Sequence, residues 1–153
     1  MTIETKLTTI SRLEEARARL VEAIGEPEPN ELSQRRLNGE CGWSARDALC
    51  HIAALDEMAA ADVQRAKVGA VPLLSTWKLE DADVWNAFFV NTRANCSELQ
   101  ILEELFSLRY RLMGELATAP VALFEQGQFV RTLCELVAGH DEHHAAELKA
   151  ASA

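Results

Sequence analysis

Residues 132–150 read TLCELVAGHDEHHAAELKA, and their spacing decides the fold. Leu133, Val137, His140, His144 and Leu148 recur three or four residues apart, so on a 3.6-residue helix they share one inner face. Thr132 with Glu135 three positions later predicts a capping box at the start of this helix. A face that mixes aliphatic residues with two histidines needs other helices to cover it.

Working back along the chain, Ser97-Glu98-Leu99-Gln100 is a second capping box. It opens a helix whose Leu102, Leu105, Leu108, Leu112 and Leu116 form one buried face, ending near Pro120. Residues Asp81 to Arg93, DADVWNAFFVNTR, predict a shorter helix carrying Trp85, Phe88 and Phe89. Ser44 with Asp47 caps a helix that runs to about Lys67, with His51, Leu55, Met58 and Ala59 on one stripe. Thr5 to Ile24 is amphipathic through Leu7, Ile10, Leu13, Leu20, Val21 and Ile24. Gly25, Pro27 and Pro29 stop that helix, and a loop is expected through Gly42. The expectation is one all-α domain over residues 1–153, an antiparallel four-helix bundle with one additional short helix.

Composition agrees: 48% hydrophobic residues support a core, and few Gly or Pro interrupt it. A net charge of -9 without a basic cluster argues against nucleic acid as a partner. Charges break every apolar run before membrane-spanning length, and the acidic start lacks the apolar stretch of a signal peptide, so a cytoplasmic protein is expected. Cys41, Cys50, Cys96 and Cys134 contain no C-x-x-C pair and read as buried free thiols.

The chain has four histidines. His140 and His144 project from adjacent turns of one helix, and His51 lies on the inner face of another, so the three could grip one divalent ion and leave positions open. Hydrogen-bonded core histidines are the competing reading. His143 falls at the rim of the face, where it could replace a neighbour or move a proton. Asp47, Asp62 and Glu147 could orient a ligand imidazole. The plainer expectation is that Asp47 caps, Asp62 reaches solvent and Glu147 pairs with a surface lysine. Trp43 is expected to staple the first turn of its helix, while Trp77, Trp85, Phe88 and Phe89 could line a pocket above the histidines or be plain core.

The order Gly42-Trp43-Ser44, Asp47, His51, then His140-x-x-x-His144 on the last helix, resembles the DinB-like superfamily. That group includes the N-terminal domain of mycothiol-dependent maleylpyruvate isomerase and the bacillithiol S-transferases. The resemblance extends over roughly Ser11 to Leu148, including the Asn86 segment, Ser97 and Thr132-Leu133. Where the family often reads His-Arg-Gly-Gln, this chain has His144-Ala145-Ala146-Glu147. The resemblance implies an up-down-down-up four-helix bundle, commonly a homodimer, with zinc or nickel held by His51, His140 and His144. It also implies a metal-dependent thiol S-transferase in which a low-molecular-weight thiol is co-substrate and a small electrophile is the substrate. A metal-assisted hydrolase would need the same ligands. The alternative is a metal-free dimeric bundle that binds a small ligand or a partner.

Overall fold

Local signals set most helix ends. In the computed structural model, which describes residues 3–39 and 42–152, α1 spans Ile3–Ile24 and stops at Gly25, whose left-handed backbone (φ 70°) lets its N–H reach Val21 O at 3.1 Å. A one-turn helix, α2 (Glu31–Gln34), sits in the segment expected to be loop, pinned by buried Leu32. The long helix α3 (Ala45–Lys67) starts at the Ser44/Asp47 capping box, and α5 (Glu98–Thr118) at the Ser97/Gln100 box. Between them lies the short α4 (Ala82–Asn91).

The last helix, α6 (Phe129–Ser152), departs from expectation at its start. It begins a turn before Thr132, whose hydroxyl donates back to Gln128 O at 3.2 Å, so Thr132 and Glu135 form no capping box. Glu135 instead pairs with Arg131 at 3.3 Å. Buried Val130 extends the apolar face of Leu133 and Val137, and that burial favours the additional turn. On α1 the expected face is narrower than its sequence: Leu13, Leu20 and Ile24 are buried, whereas Leu7 is 56% exposed.

Among the described residues the chain is all-helical, without a strand, and no helix is long and apolar enough to cross a membrane. α1 packs chiefly on α6 and α3 on α5, with α3 also meeting α6. Two apolar clusters form the core. Leu13, Leu55, Val63, Leu112, Phe124 and Val137 belong to one, and Leu20, Leu49, Ile52, Ile101, Leu105 and Leu148 to the other.

Four buried charges stand where each long helix passes from one cluster to the other: Arg17 on α1, Asp56 on α3, Arg109 on α5 and Asp141 on α6. Arg17 donates to Asp141 Oδ2 at 2.9 Å and to Asp56 Oδ2 at 2.8 Å. Arg109 donates to Asp56 Oδ1 at 2.8 Å and lies 3.1 Å from Asp141 Oδ2. Their remaining N–H groups reach Leu105 O and Leu13 O. Two cations therefore balance two anions with their hydrogen bonds satisfied, the condition under which buried charge is tolerated. Burial opposes the Arg17 charge, but Asp56 and Asp141 outweigh it and hold the guanidinium pKa above its ordinary value. Because each member comes from a different helix, the network ties all four together at one level.

Candidate metal centre

His51 comes from the second turn of α3, and His140 and His144 from successive turns of α6, all on the side of the Leu20/Leu148 cluster. The three rings converge. His51 Nε2 is 3.3 Å from His140 Nδ1, and one nitrogen from each ring lies within 4.8 Å of the others. His51 and His144 are buried and His140 half-buried. This group could hold a metal ion.

Electrostatics keep the rings in the form a ligand needs. Burial, reinforced by repulsion from His140 and His144, pushes the His51 pKa down to about 3, although nearby Asn86 acts to raise it. Burial also lowers the pKa of His140 and of His144. Neutral imidazoles at pH 7 can donate lone pairs without first losing a proton. Asn86 nevertheless leaves the buried His51 Nδ1 without a hydrogen bond of ordinary geometry. The nitrogen of His51 that meets the other rings is Nε2, and three facing, uncharged imidazoles are the donor-rich, proton-poor arrangement that suits a cation.

The structure corrects the expectation for Glu147. Rather than pairing with a lysine, its Oε2 lies 2.7 Å from His144 Nδ1, and its Oε1 lies 3.4 Å from His143 Nε2. A carboxylate on Nδ1 fixes that ring's tautomer and leaves Nε2 as the free lone pair. His143 is at the rim as expected, its side chain 67% exposed. His143, His144 and Glu147 also form a group compact enough for an ion, but His144 Nδ1 and Glu147 already engage each other there. Asp47 is confined to its capping box. Asp62 does not reach solvent: it is fully buried and accepts the backbone N–H groups of Leu73 and Leu74 at 2.8 and 2.7 Å, tying the following loop to the end of α3.

A cavity of about 520 Å³ opens over the histidines, with Leu37, Gly39, Trp43, Asn86 and Glu147 completing its wall. Trp43 does more than pack on the first turn of α3. Its ring centroid is 5.3 Å from that of His51 and 6.5 Å from that of His144, stacked on the latter, so it fills one side of the site with apolar surface. The loop carrying it is held by the Leu37 N–H to Trp43 O bond at 2.9 Å and the Ala45 N–H to Arg35 O bond at 2.7 Å.

The aromatic residues of α4 do not line this cavity. Only Asn86 of that helix does; Trp85, Phe88 and Phe89 line a separate cavity of about 460 Å³, and Trp77 stacks on Trp85 at 4.8 Å. Of the cysteines, Cys50, Cys96 and Cys134 are free, while Cys41 lies outside the described residues. Burial pushes the Cys50 thiol up to about 11 and that of Cys134 to about 12, leaving both poor nucleophiles.

No protein-family model, curated protein or solved structure matches this chain.

Proposed function

We propose that this chain is a DinB-like, divalent-metal-dependent enzyme of the thiol S-transferase type that acts on small electrophiles. The observation that carries the reading is the convergence of His51, His140 and His144, largely buried, in the wall of an open cavity. An up-down-down-up four-helix bundle is supported by the order of the core contacts. α1 and α6 pass from the Leu13/Val137 cluster to the Leu20/Leu148 cluster, and α3 and α5 pass the other way.

In this reading the three histidines hold zinc or nickel, and Glu147 keeps the His144 ring in one tautomer. A bound divalent ion supplies Lewis acidity, which lowers the pKa of a thiol or a water at its open position. Trp43 and Leu37 shield one wall of the cavity from water, and Asn86 lines it beside His51. His143, exposed at the rim and 3.4 Å from Glu147, is placed to pass a proton to solvent. A hydrolase using the same ligands would draw on the same residues, and a homodimer working in the cytoplasm belongs to the proposal.

The second reading is a metal-free bundle that binds a small ligand or a partner. It is favoured by the 3.3 Å His51–His140 contact, which serves as a hydrogen bond without any ion. Metal content after tag-free purification separates the two. The enzyme reading expects about one zinc or nickel per chain, lost in His140→Ala, with added ion raising the melting temperature. Protein that carries no metal, binds none and gains no stability from added ion rules it out. Transfer of a panel of biological thiols to a chromogenic aryl halide then tests the reaction itself.

A further inference from the structure

The cavity behind α4 has its own chemistry. Its walls come from α3, α4 and α5, and it lies on the face of α4 away from Asn86 and the histidines. Trp85, Phe88 and Phe89 form one side, with ring centroids 6.0 to 6.1 Å apart. Trp77 backs them, stacked on Trp85. Phe88 is 54% exposed, so the cavity presents an aromatic surface to solvent.

The polar side is charged. Arg93 is buried, its Nε donating to Glu104 Oε2 at 2.6 Å and one terminal nitrogen to Glu57 Oε2 at 3.2 Å. Two carboxylates thus face one guanidinium in the cavity wall. Each carboxylate uses Oε2 on Arg93, and its Oε1 remains available to a ligand. The turn that carries Arg93 is fixed by Arg46, which donates to Arg93 O and Cys96 O, both at 2.7 Å.

Aromatic faces beside half-used carboxylates are complementary to a cation on an apolar, flat body: rings attract the charge through their quadrupoles, and carboxylate oxygens accept its N–H groups. The geometry points to a second ligand site, for a primary arylalkyl ammonium, whose ring packs in the corner between Trp85 and Phe88, stacked on one and edge-on to the other, and whose ammonium bridges Glu57 and Glu104. The site stands apart from the histidine centre and does not depend on any metal there.

The test is calorimetric titration with 2-phenylethylamine, its uncharged analogue 2-phenylethanol and its anionic analogue 3-phenylpropanoate. The amine binds one per chain, and the alcohol binds about tenfold or more weakly for want of the charge-assisted hydrogen bonds. The anion binds least. Glu57→Gln and Phe88→Ala, both at exposed side chains, each weaken the amine while thermal unfolding shows an intact fold; His140→Ala leaves its affinity unchanged. The inference is overturned by no amine binding at millimolar concentration, by equal affinity for amine and alcohol, or by preference for the anion. Loss of binding in His140→Ala with retention in Phe88→Ala would also overturn it, by moving the ligand to the other cavity.

Discussion

Glu147 Oε2 lies 2.7 Å from His144 Nδ1, three residues back along α6. This pairing makes the histidine a directed ligand rather than a freely rotating one. Glu147→Ala should therefore lower zinc affinity about ten- to hundredfold, the usual cost of removing such a partner. Glu147→Gln, which can still accept from Nδ1, should lie between. Competition against a chromogenic chelator measures both, and an unchanged affinity in Glu147→Ala would refute the orienting role.

Gly39 reaches the same carboxylate from the opposite side. A Cβ built there stands 3.0 Å from Glu147 Oε1, and the backbone is not in the left-handed region, so the constraint is the close approach. Gly39→Ala should shift the Glu147 carboxylate by a few tenths of an ångström against His144 and weaken metal binding several-fold at most, while global stability changes by less than about 1 kcal/mol. Metal titration with a parallel urea melt checks the split. Loss of stability without loss of metal would contradict it.

The Arg17–Asp56–Arg109–Asp141 network makes a different prediction. Asp141→Ala removes a carboxylate that both guanidiniums share, and should cost about 3–5 kcal/mol because buried positive charge is left uncompensated. Replacing all four residues together by apolar ones of similar volume should recover most of that loss. Urea unfolding gives both values; a single-variant cost near zero would mean that the network is not closed in solution.

In metal-free protein the depressed histidine pKa values set the pH dependence. The folded state binds protons less tightly than the unfolded chain, whose histidines titrate near 6.5, so stability is full above that value and falls as pH drops toward the folded pKa. For His51, whose pKa is about 3, the loss between pH 7.5 and pH 5 is about 2 kcal/mol. His140 and His144 shift in the same direction and add to it. Chelator-treated wild type and His51→Phe, unfolded in urea at both pH values, should differ in slope. Equal slopes would show that His51 carries no such penalty.

Much of this molecule could be read one segment at a time. The Ser44 and Ser97 boxes, the stop at Gly25 and the short α4 all rest on hydrogen bonds within a few residues, and the structure places them where the sequence puts them. Thr132 misled because a threonine within a helix can bond a carbonyl four residues back, and the burial of Val130 favours an earlier start. The inward direction of His51, His140 and His144 was legible from spacing. Their meeting was an expectation, since two amphipathic faces do not state their axial offset. The buried charges do carry a signal in the sequence: Arg17, Arg109 and Asp141 each interrupt an apolar row, between Leu13 and Leu20, Leu105 and Leu112, and Val137 and Ala145.

The sequence by itself determined the long helices, most of their inner faces and the residues able to bind a cation, because periodicity and capping are local and the chemistry of imidazole travels with the residue. Only the tertiary structure decided what each of those side chains meets. Glu147 turns to His144 instead of to a lysine, and Asp62 turns inward to the N–H groups of Leu73 and Leu74. The α4 aromatics face their own cavity because a short helix packed on α3 presents Asn86 to one cavity and Trp85, Phe88 and Phe89 to the other. Such choices depend on how helices distant in sequence are offset and rotated against one another. In this chain that offset brings together four charges, one from each long helix.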